Sequence, residues 1–347
     1  MIHFFLTFSK TAADSPFSRR LDELGVQYQI IPGEVRHRYR GRFWMMLVGR
    51  PMTAWFALRA AIRSMLVSDL QPDVVVVWTH IEALIAGLVR AARQRRGVKI
   101  VLVGFILTQR AGRLHRWLRD RYFGAVFRIV DMAVVHSSVE RERYSAAFPR
   151  VHWVFIPWGS NIEAVPQANG QAAQELRTVL SAGRSGRDYR TFYRAFATGP
   201  FDARIVCDMP SALDGCVSSP FITVLDRCHG TAYVRELLAA SVVVIPLAVG
   251  DISAGQMVLM QAMQLGKPIV ITRTATIVDY LTPDHDALFV EADDAKALFG
   301  AVERLLSDKE TASRLGANAV ATFANRFTLQ AMVTSLVREI HAFAPHA

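Results

Sequence analysis

Cysteine is scarce. The 347 residues hold three, Cys207, Cys216 and Cys228, at spacings that fit neither a zinc motif nor a disulfide framework. They are expected as reduced thiols of a cytoplasmic protein. No apolar run reaches the roughly 18 uncharged residues that a membrane-spanning helix needs, because arginines interrupt each candidate, including Phe43 to Val48. The opening MIHFFLTFSK has neither a basic n-region nor a small-residue cleavage site, so it reads as a first buried strand and not as a signal peptide. Short-period repeats and low-complexity tracts are missing too. So is a compact Asp-x-Asp motif at a strand end, in keeping with an expectation of no metal and no cofactor.

What is present suits two α/β domains, since single cores stop growing near about 250–300 residues. The 52% hydrophobic content, with charge spread along the whole length, describes an ordered globular chain. The net charge of +10 admits three partners: nucleic acid, an anionic membrane surface or anionic small ligands. Arginines concentrate around 36–63 and 90–128, so the basic surface belongs to the first domain.

Along the first half, apolar runs alternate with helical patterns: IHFFLTF, YQIIPG, a helix near Pro51 to Leu70, VVVVW, a helix from about Glu82 to Arg95, KIVLVGFIL, a helix to about Arg128, MAVVHSS and VHWVFIP. Uninterrupted apolar strands between helices imply a parallel sheet covered on both faces, a doubly wound domain. Asn161 to Glu175 is polar and small, as a linker is. The pattern then restarts with TVLSAG, a helix from about Tyr189, ARIVCD, FITVLD, a helix around Tyr233 to Ala240, VVVIPL, a further helix, PIVIT and ALFVE. The expectation is two Rossmann-like domains, 1–162 and 163–328, with a C-terminal helix in 329–347 and a ligand cleft between the carboxyl ends of the two sheets.

The stretch Asp251 to Thr272, DISAGQMVLMQAMQLGKPIVIT, is the most informative. A polar, Gly-containing turn leads into a helix on which Met257, Leu259, Met260, Met263 and Leu265 are expected to pack inward, closed by Gly266, Lys267 and Pro268. Backbone N–H groups of Ala254, Gly255 and Gln256 would form an anion site at the helix N-terminus, suited to a diphosphate. An ordinary strand–turn–helix unit is the other reading of the same spacing. In GRSGRDYR, Gly183 would let the backbone approach a ligand at a strand end.

This stretch resembles the C-terminal domain of retaining GT-B glycosyltransferases of family 4. The resemblance runs on through DYL, DHDALFVEADDAKALFGAVERLLSD and SRLGANA to FANRFT, and back through VLSAGRSGRDYRTFYRAF and IPWGSN. It covers about half the chain strongly and the N-terminal domain loosely. The family carries two glutamates eight residues apart, one near the sugar and one holding the ribose hydroxyls, and those places fall here on Ser253 and Gln261. Gln261 can still donate to and accept from a ribose. Arg184 occupies the position of the family's diphosphate-binding arginine and is the leading single candidate; Arg187 stands where the family has a lysine, and its planar fork suits phosphate oxygens. Two solvated loop arginines are the alternative. Arginines with a helix N-terminus would stabilise a departing nucleoside diphosphate without metal.

His80, after VVVVW, is expected at a strand end pointing at the cleft, as a secondary catalytic candidate; His136 lies at another strand end. Where the family often has a histidine, this chain has Gly104 and Phe105. Basic and aromatic residues interleave in Gly104 to Phe123 and in Arg36 to Arg50, a pattern that suits an anionic membrane interface or, equally, a solvated basic face over a core. The resemblance implies transfer of a sugar from a nucleoside-diphosphate sugar to a saccharide, lipid-linked, in exopolysaccharide or lipopolysaccharide assembly, with retention, in a cytoplasmic protein peripheral to the inner face of the plasma membrane. The rivals are a sugar epimerase, an inverting transferase, a non-catalytic nucleotide-sugar-binding partner of another glycosyltransferase, and a nucleic-acid binder. No nucleic-acid motif supports the last.

Overall fold

A computed structural model describes residues 1–6, 15–32, 50–68, 70–94, 97–106, 112–162, 177–248, 250 and 252–345, with only the backbone of residues 50 and 113–115. Most of the Arg36 to Arg50 segment, most of the Asn161 to Glu175 segment and Asp251 lie outside these residues. The chain forms two compact units, one of Met1–Ile156 with Met332–Ala347 and one of Pro157–Ala331.

In the first unit the order is β1 (Ile2–Leu6), α1 (Pro16–Glu23), β2 (Tyr28–Pro32), α2 (Arg50–Ile62), β3 (Val74–Val77), α3 (His80–Ala92), β4 (Lys99–Val103), α4 (Arg113–Val126), β5 (Met132–Val135), α5 (Ser138–Ala147) and β6 (His152–Phe155). The strands are parallel in the order β2-β1-β3-β4-β5-β6. All four residues of β3 and of β5 are buried, as a strand covered on both faces requires. The turn after α2 continues as a π-helix over Arg63–Val67, so the helix expected to reach Leu70 changes winding at Arg63.

The second unit runs β7 (Thr178–Ala182), α6 (Tyr189–Phe196), β8 (Asp202–Val206), β9 (Ile222–Leu225), α7 (Thr231–Ala239), β10 (Val242–Ile245), α8 (Gln256–Gln264), β11 (Ile269–Thr272), β12 (Leu288–Val290), α9 (Ala295–Ser307) and α10 (Lys309–Arg326). Its parallel order is β12-β11-β10-β7-β8-β9. Alternate strand residues feed two cores. Leu180, Val243, Ile245 and Ile271 join α8 and α10 on one face, while Val179, Val242, Val244 and Val270 join α6 and α9 on the other. The chain leaves β7 in one direction for β8 and β9, then returns to lay β10 on its other side. That reversal is a topological switch point, where ligands of open α/β sheets bind.

The last helix, α11 (Leu329–Phe343), belongs from Met332 onward to the first unit. Arg20 Nε donates to Thr334 Oγ1 at 3.0 Å, and Phe343 stacks on His152 with centroids 5.3 Å apart. No helix among the described residues is long and apolar enough to cross a membrane.

Candidate functional site

The site grows from the switch point. Gly183, just past β7, has φ +107°, and a Cβ there would lie 2.5 Å from Arg187 Nη2. Glycine is required on both counts, since an L side chain disfavours that backbone and would displace the guanidinium. Two backbone bonds then tie the loop after β7 to the loop after β10: Asp188 N–H to Pro246 O at 3.0 Å and Ala248 N–H to Gly186 O at 3.0 Å. Asp188 also caps α6, accepting from Thr191 N–H at 3.1 Å. The GRSGRD motif is therefore pinned from both ends.

The second loop delivers α8. Its N-cap Gly255 has φ +93°, and a Cβ there would meet Ile245, Leu247 and, at 3.7 Å, Arg187 Nη1. Arg187 thus sits beside the first turn of α8, whose N–H groups lack intrahelical partners and carry the positive end of the helix dipole. Ser253 and Gln256 are buried there, and Gln256 Nε2 has no hydrogen-bond partner among the described residues. At the far end, Lys267 N–H bonds to Ala262 O and Gly266 N–H to Met263 O, both 3.0 Å, a Schellman closure with Gly266 at φ +62°. Lys267 Nζ reaches Leu238 O and Ala240 O, so the Gly-Lys-Pro segment acts structurally, joining α8 to the end of α7.

Arg187 is the electrostatic centre. Its Nε donates to Ala182 O at 2.8 Å and its Nη1 to Ser185 O at 3.0 Å. Burial pulls its pKa down, and the ionisable groups around it are Tyr189, Tyr233 and Cys207. Burial raises the pKa of each of those three, which keeps them neutral near pH 7. Arg187 forms no ion pair among the described residues. A partly buried cation beside a helix N-terminus, with only neutral groups around it, is an electrostatic corner that an anion completes.

A cavity of about 660 Å³ opens beside this corner, lined wholly by residues of the second unit, among them Gly183, Arg184, Asp208, Tyr233, Met257 and Gln261, with Arg187 behind Gly183. Arg184 is more exposed than Arg187, at 58% of its side chain, and faces Asp208 at 3.4 Å. Gln261 accepts a hydrogen bond from Tyr233 Oη at 3.1 Å. Met257 does not pack inward as expected. It is 58% exposed on the cavity wall, because the helix begins at Gln256 and turns Gln256 to the core together with Leu259, Met260 and Met263, which pack inward as expected.

In the first unit, His80 differs from its expected place. The strand ends at Val77, and Thr79 caps α3 in a capping box: Glu82 N–H donates to Thr79 Oγ1 at 3.2 Å and Thr79 N–H to Glu82 Oε2 at 2.9 Å. His80 is consequently the first helical residue, edge-on to Tyr122 and Phe123 at 5.6 and 5.4 Å. His136 is buried with Nδ1 2.8 Å from Ile156 O, and burial drops its pKa to about 4. Its Nε2 faces Gly104, where a Cβ would lie 3.4 Å away.

Seven of the nine candidates, Gly183, Arg184, Arg187, Ala254, Gly255, Gln256 and Gln261, line the cavity or the loops and helix turn beneath it; Ser253 is buried in the same loop, and His80 stands in the other unit. Tyr233 and Asp208 carry no sequence signal. Tyr233 lies 28 residues from Gln261, and only the fold joins them. Among the described residues no three His, Cys, Asp or Glu side chains converge as a metal site requires.

Residues 202–308 match the family model described as glycosyl transferases group 1. No curated protein sequence matches the chain. Among solved structures, sucrose-phosphate synthase from Thermosynechococcus elongatus superposes with a TM-score of 0.74 at 17% identity, covering 100% of this chain and 99% of that one. A glycosyltransferase from Rickettsia africae gives 0.64 at 12% identity over 100% and 99% of the two chains. HepE of Anabaena, solved with UDP and glucose, gives 0.62 at 12% over 98% and 99%. The two six-stranded parallel sheets are the GT-B fold. Fold and family match agree on a glycosyltransferase, the class that the sequence motifs resemble.

Proposed function

We propose that the chain moves a sugar from a nucleoside-diphosphate sugar to a saccharide acceptor that is lipid-linked, in exopolysaccharide or lipopolysaccharide assembly, with retention, at the cytoplasmic face of a membrane. The observation that carries the donor half is Arg187, a cation with no ion-pair partner among the described residues, beside the α8 N-terminus and behind Gly183 in the wall of an open cavity. A diphosphate supplies the missing charge. The UDP and glucose in HepE, a protein of the same fold, support that ligand class.

Bond cleavage at the sugar leaves negative charge on the nucleoside diphosphate. Arg187 and the first-turn N–H groups of α8 are fixed before that charge develops, so they stabilise the departing group without reorganising. Arg184, more exposed and set against Asp208, closes over the outer phosphate. Gln261, its carbonyl oxygen engaged by Tyr233, offers its amide N–H groups to the ribose. Ser253 stands where the resemblance places a sugar contact. The second unit then holds the donor and the first the acceptor. A second reading, a non-catalytic nucleotide-sugar-binding partner, is favoured by the uncharged side chains at Ser253 and Gln261.

The test is thermal unfolding with UDP-, GDP-, ADP- and TDP-sugars, followed by product analysis with membrane-extracted acceptors. A ligand that binds only the folded state raises the midpoint. One nucleotide class should do so, and a new glycosidic bond with unchanged anomeric configuration should follow. Stabilisation without turnover on any acceptor would favour the partner reading, and no stabilisation by any nucleotide sugar would overturn both.

A further inference from the structure

Helices α2, α3 and α4 each carry the chain in the same direction along the first sheet, and right-handed crossovers place them on one face of it. Their inward residues confirm this, since Ala60, Ala61, Ala83, Ala86, Val126 and Phe127 share one core cluster. The outer surfaces of the three helices therefore form one layer.

That layer is inverted relative to an ordinary surface. On α4, positions 117, 118, 121 and 122 lie on one arc, which would be polar on a solvated helix. Here Trp117 is 54% and Leu118 52% exposed, and Tyr122 is exposed beside them. The Arg121 guanidinium lies 5.0 Å from the centre of the Trp117 ring. On α2, Trp55 is 59% exposed, and Leu58 and Ile62 are exposed on the same arc with Arg59. Leu88 continues the apolar surface on α3. Carboxylates are nearly absent: α2 has none, the one on α3, Glu82, is buried in its capping box, and the one on α4, Asp120, binds Arg119 at 2.8 Å.

We infer that this α2–α3–α4 layer is the surface by which the protein sits on an anionic lipid bilayer. Tryptophan and tyrosine at the headgroup level, leucine and isoleucine just below, and arginines facing lipid phosphates are what an interfacial surface needs. Charge complementarity decides the occupant. A second copy docked on this face by two-fold symmetry would set arginine against arginine. The inference deepens the membrane side of the proposed function, and it does not depend on the donor cavity.

The experiment is co-sedimentation with vesicles of phosphatidylcholine alone and with about one-third phosphatidylglycerol, with tryptophan emission recorded in parallel. Three variants are compared with the wild type: Trp117→Ser with Leu118→Ser, Arg59→Gln with Arg121→Gln, and, as a control, Val217→Ser with Phe221→Ser on the exposed surface of the second unit. The wild type should bind the anionic vesicles and not the neutral ones, with a blue shift in emission. Each arginine removed should weaken binding about fivefold, the Trp117 variant should bind more weakly and keep only the part of the blue shift that Trp55 supplies, and the control should bind as the wild type does. Midpoint shifts with nucleotide sugar report on the donor cavity in the same samples, so a failure there is separate from a failure of docking. No binding to anionic vesicles, or equal binding by all variants, would overturn the inference. So would arginine-dependent binding of duplex DNA, or dimer formation through Trp117, in a protein that ignores vesicles.

Discussion

In the second unit, the loops that leave β7 and β10 are joined by two backbone hydrogen bonds and hold Arg187 behind Gly183, in the wall of an open cavity. The positions beyond β3 and β5 in the first unit carry His80, packed edge-on against two rings, and His136, buried against Ile156 O. The same doubly wound architecture thus has opposite emphases. One unit fixes a positive charge behind the Gly183 wall of a cavity, and the other buries His136, packs His80 against two rings and leaves aromatics and arginines on its outer helices. Strand-end position in this fold offers a site, and the local loop bonding decides whether the site faces a ligand.

The comparison breaks most sharply at the glycines. Gly183→Val, at φ +107° and against Arg187, should destabilise the second unit by about 2–4 kcal/mol in urea unfolding and abolish nucleotide binding. Gly104→Ala in the first unit, at φ +75° but only in ordinary contact with His136, should cost about 1–2 kcal/mol and leave nucleotide binding intact.

Acid should separate the units next. Burial pulls His3 and His136, both in the first unit, to a folded pKa of about 4. The unfolded chain protonates them near about 6.5. Between those values the unfolded state binds more protons, so their contribution is complete above about pH 6.5 and declines as pH falls toward 4, by roughly 3 kcal/mol for the fully buried His136. Stability measured from pH 7 to 4.5 should fall, and His136→Gln should flatten the fall. A wild-type profile that stays level would contradict the buried neutral histidine.

The smallest effect should come from the arginine ranked first on sequence. Arg184→Ala removes an exposed pair with Asp208 and should change stability by less than about 1 kcal/mol. It should weaken nucleotide-sugar binding only about three- to tenfold.

Much of the fold was legible. VVVV, KIVLV and VVVI are runs that only a sheet covered on both faces accommodates, and they became β3, β4 and β10. Helices α1 and α5 leave little signal in the sequence, because PFSRRLDE and SVERERYSAA are short and mostly polar. The run VVVVW suggests a strand continuing toward His80, whereas the capping pair Thr79 and Glu82, equally present in the sequence, marks the helix start. For the site, glycine spacing located the two loops. It did not show that Arg187, and not Arg184, occupies the buried corner, since that follows from the pairing of residues 186–188 with 246–248. The Tyr233 bond to Gln261 likewise needs α7 beside α8, which no local pattern encodes.

The most direct measurement is titration calorimetry of UDP and GDP against the wild type and Arg187→Met, with circular dichroism to confirm that both are folded. A charge-assisted contact in a partly buried corner should make the variant weaker by about 10- to 100-fold for whichever nucleotide binds. Equal affinity in the two proteins, both folded, would contradict the assignment of Arg187 to the diphosphate and with it the central claim about this cavity.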